Sequence, residues 1–193
     1  KVGFLALNLD ALSEEGRKTA LDALAAAMGA TGRVRLLLHS IAFGNLKPLA
    51  PPAPATDASC TRLAAELKLD RAVLAAAIRS AFSAGGADAL AGLLDPPASD
   101  SDAVLEEEDF ARTVHSMGTS LVTWTQDLFA RKLFCSDARV LGMTSEGNEI
   151  AWRGYAAVAA AKVALESVSR AIAVELGPYG VRSNIVQAGV TDT

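Results

Sequence analysis

Short apolar runs alternate with long stretches of helical periodicity along most of this chain. Val2–Leu7 reads VGFLAL, an apolar run of the length of a buried strand. Asn8, Leu9 and Asp10 follow as a turn. Ser13 then starts a helix with Glu14 and Glu15 in its first turn, where the helix dipole favours acids, and Gly29 ends it after Met28. Val34–His39 (VRLLLH), Arg139–Met143 and Ser183–Val186 read as three further strands. Helical segments lie between them at about Asp109–Lys132 and Trp152–Leu176, the latter stopped by Gly177-Pro178. Strands alternating with amphipathic helices predict βαβ units and a parallel sheet covered by helices on both faces. The fold class is therefore α/β, with a doubly wound parallel sheet.

One stretch breaks the rhythm. Leu46–Thr56 reads LKPLAPPAPAT, which suits neither a regular helix nor a central strand. Cys60–Phe82 is strongly helical, with Leu63, Leu67, Leu74 and Ile78 at helical spacing. Gly85-Gly86 breaks it, and a shorter helix runs to Leu94. Asp95-Pro96-Pro97 and an acidic, Ser-rich run to Asp102 close the unit. We read residues 46–105 as a helical insertion within one domain that spans 1–193. Two roles are open for it, a substrate lid or a surface element for oligomer contacts.

Composition narrows the function classes. Hydrophobic residues make up 51 % of the 193, enough for one buried core. The net charge is −4, aromatics are 5 %, and no basic stripe is present, so nucleic acid is not an expected partner. No apolar run reaches the roughly 18 residues of a membrane span. Cys60 and Cys135 read as reduced thiols, which suits a cytoplasmic location. No CxxC pair or His/Cys/carboxylate cluster has metal spacing, and His39 and His115 read as structural.

The chemistry centres on Tyr155 and Lys162. Seven residues is close to two helical turns, so both project from one face of a helix. A nearby ammonium favours phenolate character, and the phenol can donate a strong hydrogen bond to an oxygen that gains charge. Taken alone, a Tyr and a Lys on one face are common. Their surroundings change that. Lys162-Val163-Ala164-Leu165-Glu166, then Leu176-Gly177-Pro178-Tyr179-Gly180-Val181-Arg182-Ser183-Asn184-Ile185, resembles the short-chain dehydrogenase/reductase family. Most members place the Lys four residues after the Tyr, where this chain has Ala159. The spacing here, with six residues between, resembles the enoyl-acyl-carrier-protein reductase branch. The ending AGVTDT also resembles that branch's A-G-x-x-x-T, and His39-Ser40-Ile41-Ala42-Phe43 resembles its H-S-I-G-F.

The resemblance implies a Rossmann-type fold that binds NADH or NADPH, an acyl thioester substrate on acyl carrier protein or coenzyme A, and a homotetramer or homodimer packed through the helices near Asp109 and Trp152. It implies catalytic roles for Tyr155 and Lys162, with Lys162 also on the nicotinamide ribose. It places Ser40, Ile41 and Ala42 along the ribose and adenine side, Asn8 and Leu9 at the adenine ring, Val190 at the carboxamide and Thr193 at the pyrophosphate. Carbonyl-reducing members use an Asn in the helix before the Arg139 strand, and a Ser thirteen residues before the Tyr. This chain has His115-Ser116-Met117-Gly118 and Gly142 there, which favours enoyl reduction. Well-known enoyl reductases carry a second Tyr ten residues before the first, where this chain has Ser145. Thr144 and Ser145 are open between strand-end hydrogen bonding and a catalytic or substrate role. Two other functions remain in play: a carbonyl or 3-ketoacyl reductase, and a non-catalytic dinucleotide-binding scaffold. Against the family pattern, the first strands with their Gly-rich turn and the last strand are expected to lie outside residues 1–193.

Overall fold

Ser13 caps the first helix, its Oγ accepting from the Gly16 N–H at 3.0 Å. Helix α1 follows as Glu14–Met28, and Gly29 ends it with φ 65°. These elements come from a computed structural model that describes residues 3–51, 58–84 and 103–188. After α1, β1 is Val34–His39; then come α2 (Ala58–Leu67), α3 (Arg71–Ala84) and α4 (Glu107–Val114). A π turn, His115–Thr119, joins α4 to α5 (Ser120–Ala130). β2 (Phe134–Thr144), α6 (Ala156–Leu176) and β3 (Val181–Gln187) complete the order.

The three strands form one parallel sheet in the order β1-β2-β3. Together with the flanking helices this is a partial Rossmann-type α/β fold. β1 pairs Val34 with Phe134 but Leu36 with Arg139, so regular pairing to β1 starts at Arg139, where the sequence places the strand. β2 alternates: Ala138, Val140, Gly142 and Thr144 are buried, and their neighbours are half-buried. α6 buries Ala157, Val158, Ala161, Lys162, Leu165, Ser169 and Ile172, which recur at three and four residues and form one stripe. That stripe meets Leu121, Ala138, Val140 and Val181 in the main core. The opposite sheet face is more open, with Leu36 and Leu38 53 % and 52 % exposed. The expected helical cover is thus seen on one face among the described residues.

Several elements differ from their sequence patterns. Residues 3–7 form no strand, and their side chains are exposed. In the order 3-2-1-4-5-6 a third strand pairs with a second, and no such partner is among the described residues. Cys60–Phe82 is two helices, because the chain turns at Lys68 (φ 52°) and Asp70 Oδ1 accepts from the N–H groups of Ala72 and Val73. The last long helix starts at Ala156, four residues later than its apolar pattern suggests. Residues 85–102, with the short helix to Leu94 and the Asp95-Pro96-Pro97 stop, lie outside the described residues. The chain divides into two compact units, Lys1–Leu49 with Leu105–Thr193, and Ala50–Val104. In the second, α2 and α3 pack through Ala64, Leu74 and Ile78.

Leu165 is fully buried at the centre of the main core. Leu165→Ala is expected to lower unfolding stability by about 2–5 kcal/mol, while Val174→Ala on the exposed side of the same helix stays within about 0.5 kcal/mol. Urea unfolding of the two variants checks this.

Candidate active site

Ligands of open α/β sheets bind beyond the carboxyl ends of the strands. Here those ends bring together His39 to Ile41 after β1, Thr144 and Ser145 after β2, and the start of α6. Tyr155 stands at the N-cap of α6, with φ −101° and ψ 3°, and not inside the helix as its spacing to Lys162 suggests. Its ring packs with Met117, Val158 and Ala161, and Trp152 meets it edge-on at 5.2 Å. Gly147 makes room for it, since a Cβ there would lie 2.0 Å from Tyr155 Cε1. The phenol oxygen lies 3.3 Å from Ser145 Oγ.

Lys162 lies two turns into α6 and is 7 % exposed. Its ammonium donates to the Met143 carbonyl at 2.7 Å. Burial pulls its pKa below the ordinary 10.5. Thr144 and Ser145 point to different partners. Thr144 Oγ1 donates to Glu166 Oε1 at 2.8 Å, and Asn148 Nδ2 donates to the same oxygen at 2.6 Å. This fixes the turn after β2 and leaves Ser145 as the hydroxyl beside the phenol.

A pocket of about 280 Å³ opens at the end of β1, lined by Ala11, Leu37, Leu38, His39, Ser40, Ile41 and Trp124. Its apolar walls and strand-end position suit one part of a dinucleotide. Ser40 and Ile41 line it, whereas Asn8, Leu9 and Ala42 do not. Asn8 is exposed and Leu9 half-buried, a short way upstream of Ala11. Val190 and Thr193 lie outside the described residues. Among the described residues, no group of three or more His, Cys, Asp or Glu could hold a metal ion, and no helix is long and apolar enough to cross a membrane.

Residues 56–193, well over half of the chain, match the family described as Enoyl-(Acyl carrier protein) reductase. The chain belongs to this family. The 1-cyclohexenylcarbonyl-CoA reductase of Streptomyces collinus is 38 % identical to it over 64 residues, 33 % of this chain and 23 % of that protein. The chain thus spans less than a quarter of that relative's length.

This enoyl-(acyl carrier protein) reductase family member also holds groups that sequence reasoning passed over. Glu166 lies one turn beyond Lys162 on the same helix face, a spacing that could have flagged it. Gly147 and Asn148 carried no signal. His39 is 4 % exposed, and its Nε2 meets Ser120 Oγ at 2.7 Å. Burial, and then the positive charge of Lys162, bring the His39 pKa from 6.5 down to about 4. The imidazole beside Lys162 is therefore neutral at pH 7. Between pH 6.5 and 4 the unfolded chain takes up a proton that folded His39 refuses, so stability falls as pH drops through that window. It levels off below the folded pKa. The full loss from this residue is about 3 kcal/mol. His39→Gln is expected to flatten this slope, as denaturant unfolding measured across the window would show.

Proposed function

We propose that the protein reduces the 2,3 double bond of a trans-2-enoyl thioester, carried on acyl carrier protein or coenzyme A, with NADH or NADPH as reductant. The observation that carries this reading is the Tyr155 hydroxyl at the carboxyl edge of the sheet, at the head of the helix that buries Lys162. The family assignment and the name of the Streptomyces relative support it. A nicotinamide cofactor, when bound, supplies the hydride that reaches the substrate β-carbon. Ser40 and Ile41 would hold its adenosine side. Lys162 would hold its nicotinamide ribose, since an ammonium has three donors and one goes to Met143.

Tyr155 Oη donates to the thioester oxygen as that oxygen takes up negative charge. Such a donor acts most strongly where water is excluded, and the partly buried ring is held for it by Gly147 and Trp152. Lys162 keeps the local potential positive, and neutral His39 adds no competing charge. The α-carbon then takes its proton from solvent.

A second reading has its own observation. Ser145 at 3.3 Å from the phenol forms a Ser/Tyr hydroxyl pair, the pair with which carbonyl-reducing members act on ketones. Initial rates with a trans-2-enoyl thioester and with a 3-ketoacyl thioester separate the two. Faster turnover of the enoyl substrate is expected. Faster turnover of the ketone would assign the protein to the second reading, and cofactor binding with no turnover of either would remove both.

A further inference from the structure

The segment that follows β1 carries Ser40, Ile41 and Ala42 but belongs to no helix or strand. The segment, and His39 at the end of β1 just before it, are nevertheless tied to α4, the π turn and the start of α5. The Asn45 N–H donates to Thr113 Oγ1 at 2.9 Å. Ser116 Oγ donates to the Phe43 carbonyl. His39 Nε2 meets Ser120 Oγ at 2.7 Å. These three hydroxyl residues are 2 %, 0 % and 0 % exposed, and they straddle the π turn.

The partners of each hydroxyl fix the direction of its bond. Thr113 Oγ1 gives its proton to Asp109 O at 2.7 Å, so it accepts from Asn45. Ser120 Oγ gives its proton to Ser116 O at 2.8 Å, so it accepts from a His39 that carries its proton on Nε2. Ser116 is the donor of the set, shared between Phe43 O and Thr113 O. Two further contacts bind the same stretch. Arg112 sits over the Phe43 ring at 4.6 Å, and Lys47 pairs with Asp109 at 2.6 Å. Gly44 lets the backbone close in, since a Cβ there would lie 2.6 Å from Met117 Sδ.

We propose that Thr113, Ser116 and Ser120 are positioning residues that hold Ser40–Ala42 in the shape that receives the cofactor. The proposal rests on the reading above that a nicotinamide cofactor lies against these residues. A loop without regular structure loses freedom when it binds, and the seam removes that cost beforehand. The lost hydroxyls therefore weaken cofactor binding, by about tenfold for one buried hydrogen bond. Chemistry at Tyr155 is reached only through the cofactor's position, so the change falls on cofactor KM more than on kcat.

The test uses Ser116→Ala, Ser120→Ala and the near-isosteric Thr113→Val, with Thr123→Ala as control. Thr123 Oγ1 bonds Ser120 O within its own helix. Dissociation constants for NADH and NADPH are measured, and amide hydrogen exchange is followed over residues 39–45 and over β2 and β3. Weaker cofactor binding and faster exchange confined to 39–45 are expected in the three seam variants and not in the control. Unchanged affinity and exchange would overturn the proposal, as would an equal effect from Thr123→Ala. A wild-type protein that binds neither cofactor would refute the cofactor reading. Exchange at 39–45 would then still decide whether the seam orders the segment.

Discussion

Tyr155→Phe is expected to lower turnover of an enoyl thioester by about 10²–10³ while folding and cofactor affinity stay near wild type. The substitution removes one oxygen. The ring that remains keeps its packing with Met117, Val158 and Ala161 and its edge contact with Trp152. Stability measured by thermal unfolding therefore tracks the ring, and kcat tracks the hydroxyl. Ser145 Oγ lies close enough to give part of the lost hydrogen bond. Ser145→Ala should therefore cost more in the Tyr155→Phe background than alone. A Phe variant with full turnover would end the assignment of Tyr155 as the donor.

Lys162→Met is expected to cost activity on the same scale, about 10²–10³, and also to weaken cofactor binding. Met keeps the length and apolar body of the side chain in a buried place, but it cannot donate to Met143 O or to a ribose hydroxyl. A second readout is independent of turnover. The Lys162 charge is the second cause of the low His39 pKa, after burial. Without it, the His39 ring should titrate above its present value of about 4. A ring titration by NMR would show the rise. Lost activity with an unmoved His39 would mean that the two side chains are not coupled.

Much of the fold could be read in the residues because it depends on local rules. Ser13 and Gly29 delimit α1 as their capping chemistry requires, and the apolar run Val34–His39 is β1 residue for residue. What escaped depends on partners distant in sequence. Gly3–Leu7 have the composition of a strand, but no neighbouring strand for them to bond lies among the described residues. β2 begins at Phe134, ahead of the apolar alternation, because Phe134 pairs with Val34 of β1 before the register shifts. The π turn at His115–Thr119 has no sequence signature, and the hydroxyls on either side of it look like ordinary polar helix positions. The spacing puts Tyr155 and Lys162 on one helix, whereas the helix begins after Tyr155. Ser145 was legible as the missing second Tyr and, with Thr144, as a hydroxyl open to a catalytic or substrate role. Its place beside the phenol comes from the Glu166 clamp on Thr144 and Asn148, which no local pattern announces.

In the proposed mechanism, hydride reaches the β-carbon of an enoyl thioester while Tyr155 holds the thioester oxygen. Label transfer tests it most directly. The protein is given a trans-2-enoyl thioester and a nicotinamide cofactor that carries deuterium in the transferable position, and the product is analysed by mass spectrometry and NMR. One deuterium is expected at the β-carbon of a saturated acyl thioester, formed far more slowly by Tyr155→Phe. An enoyl substrate recovered unlabelled, when a 3-ketoacyl thioester takes the deuterium at its carbinol carbon, would contradict it.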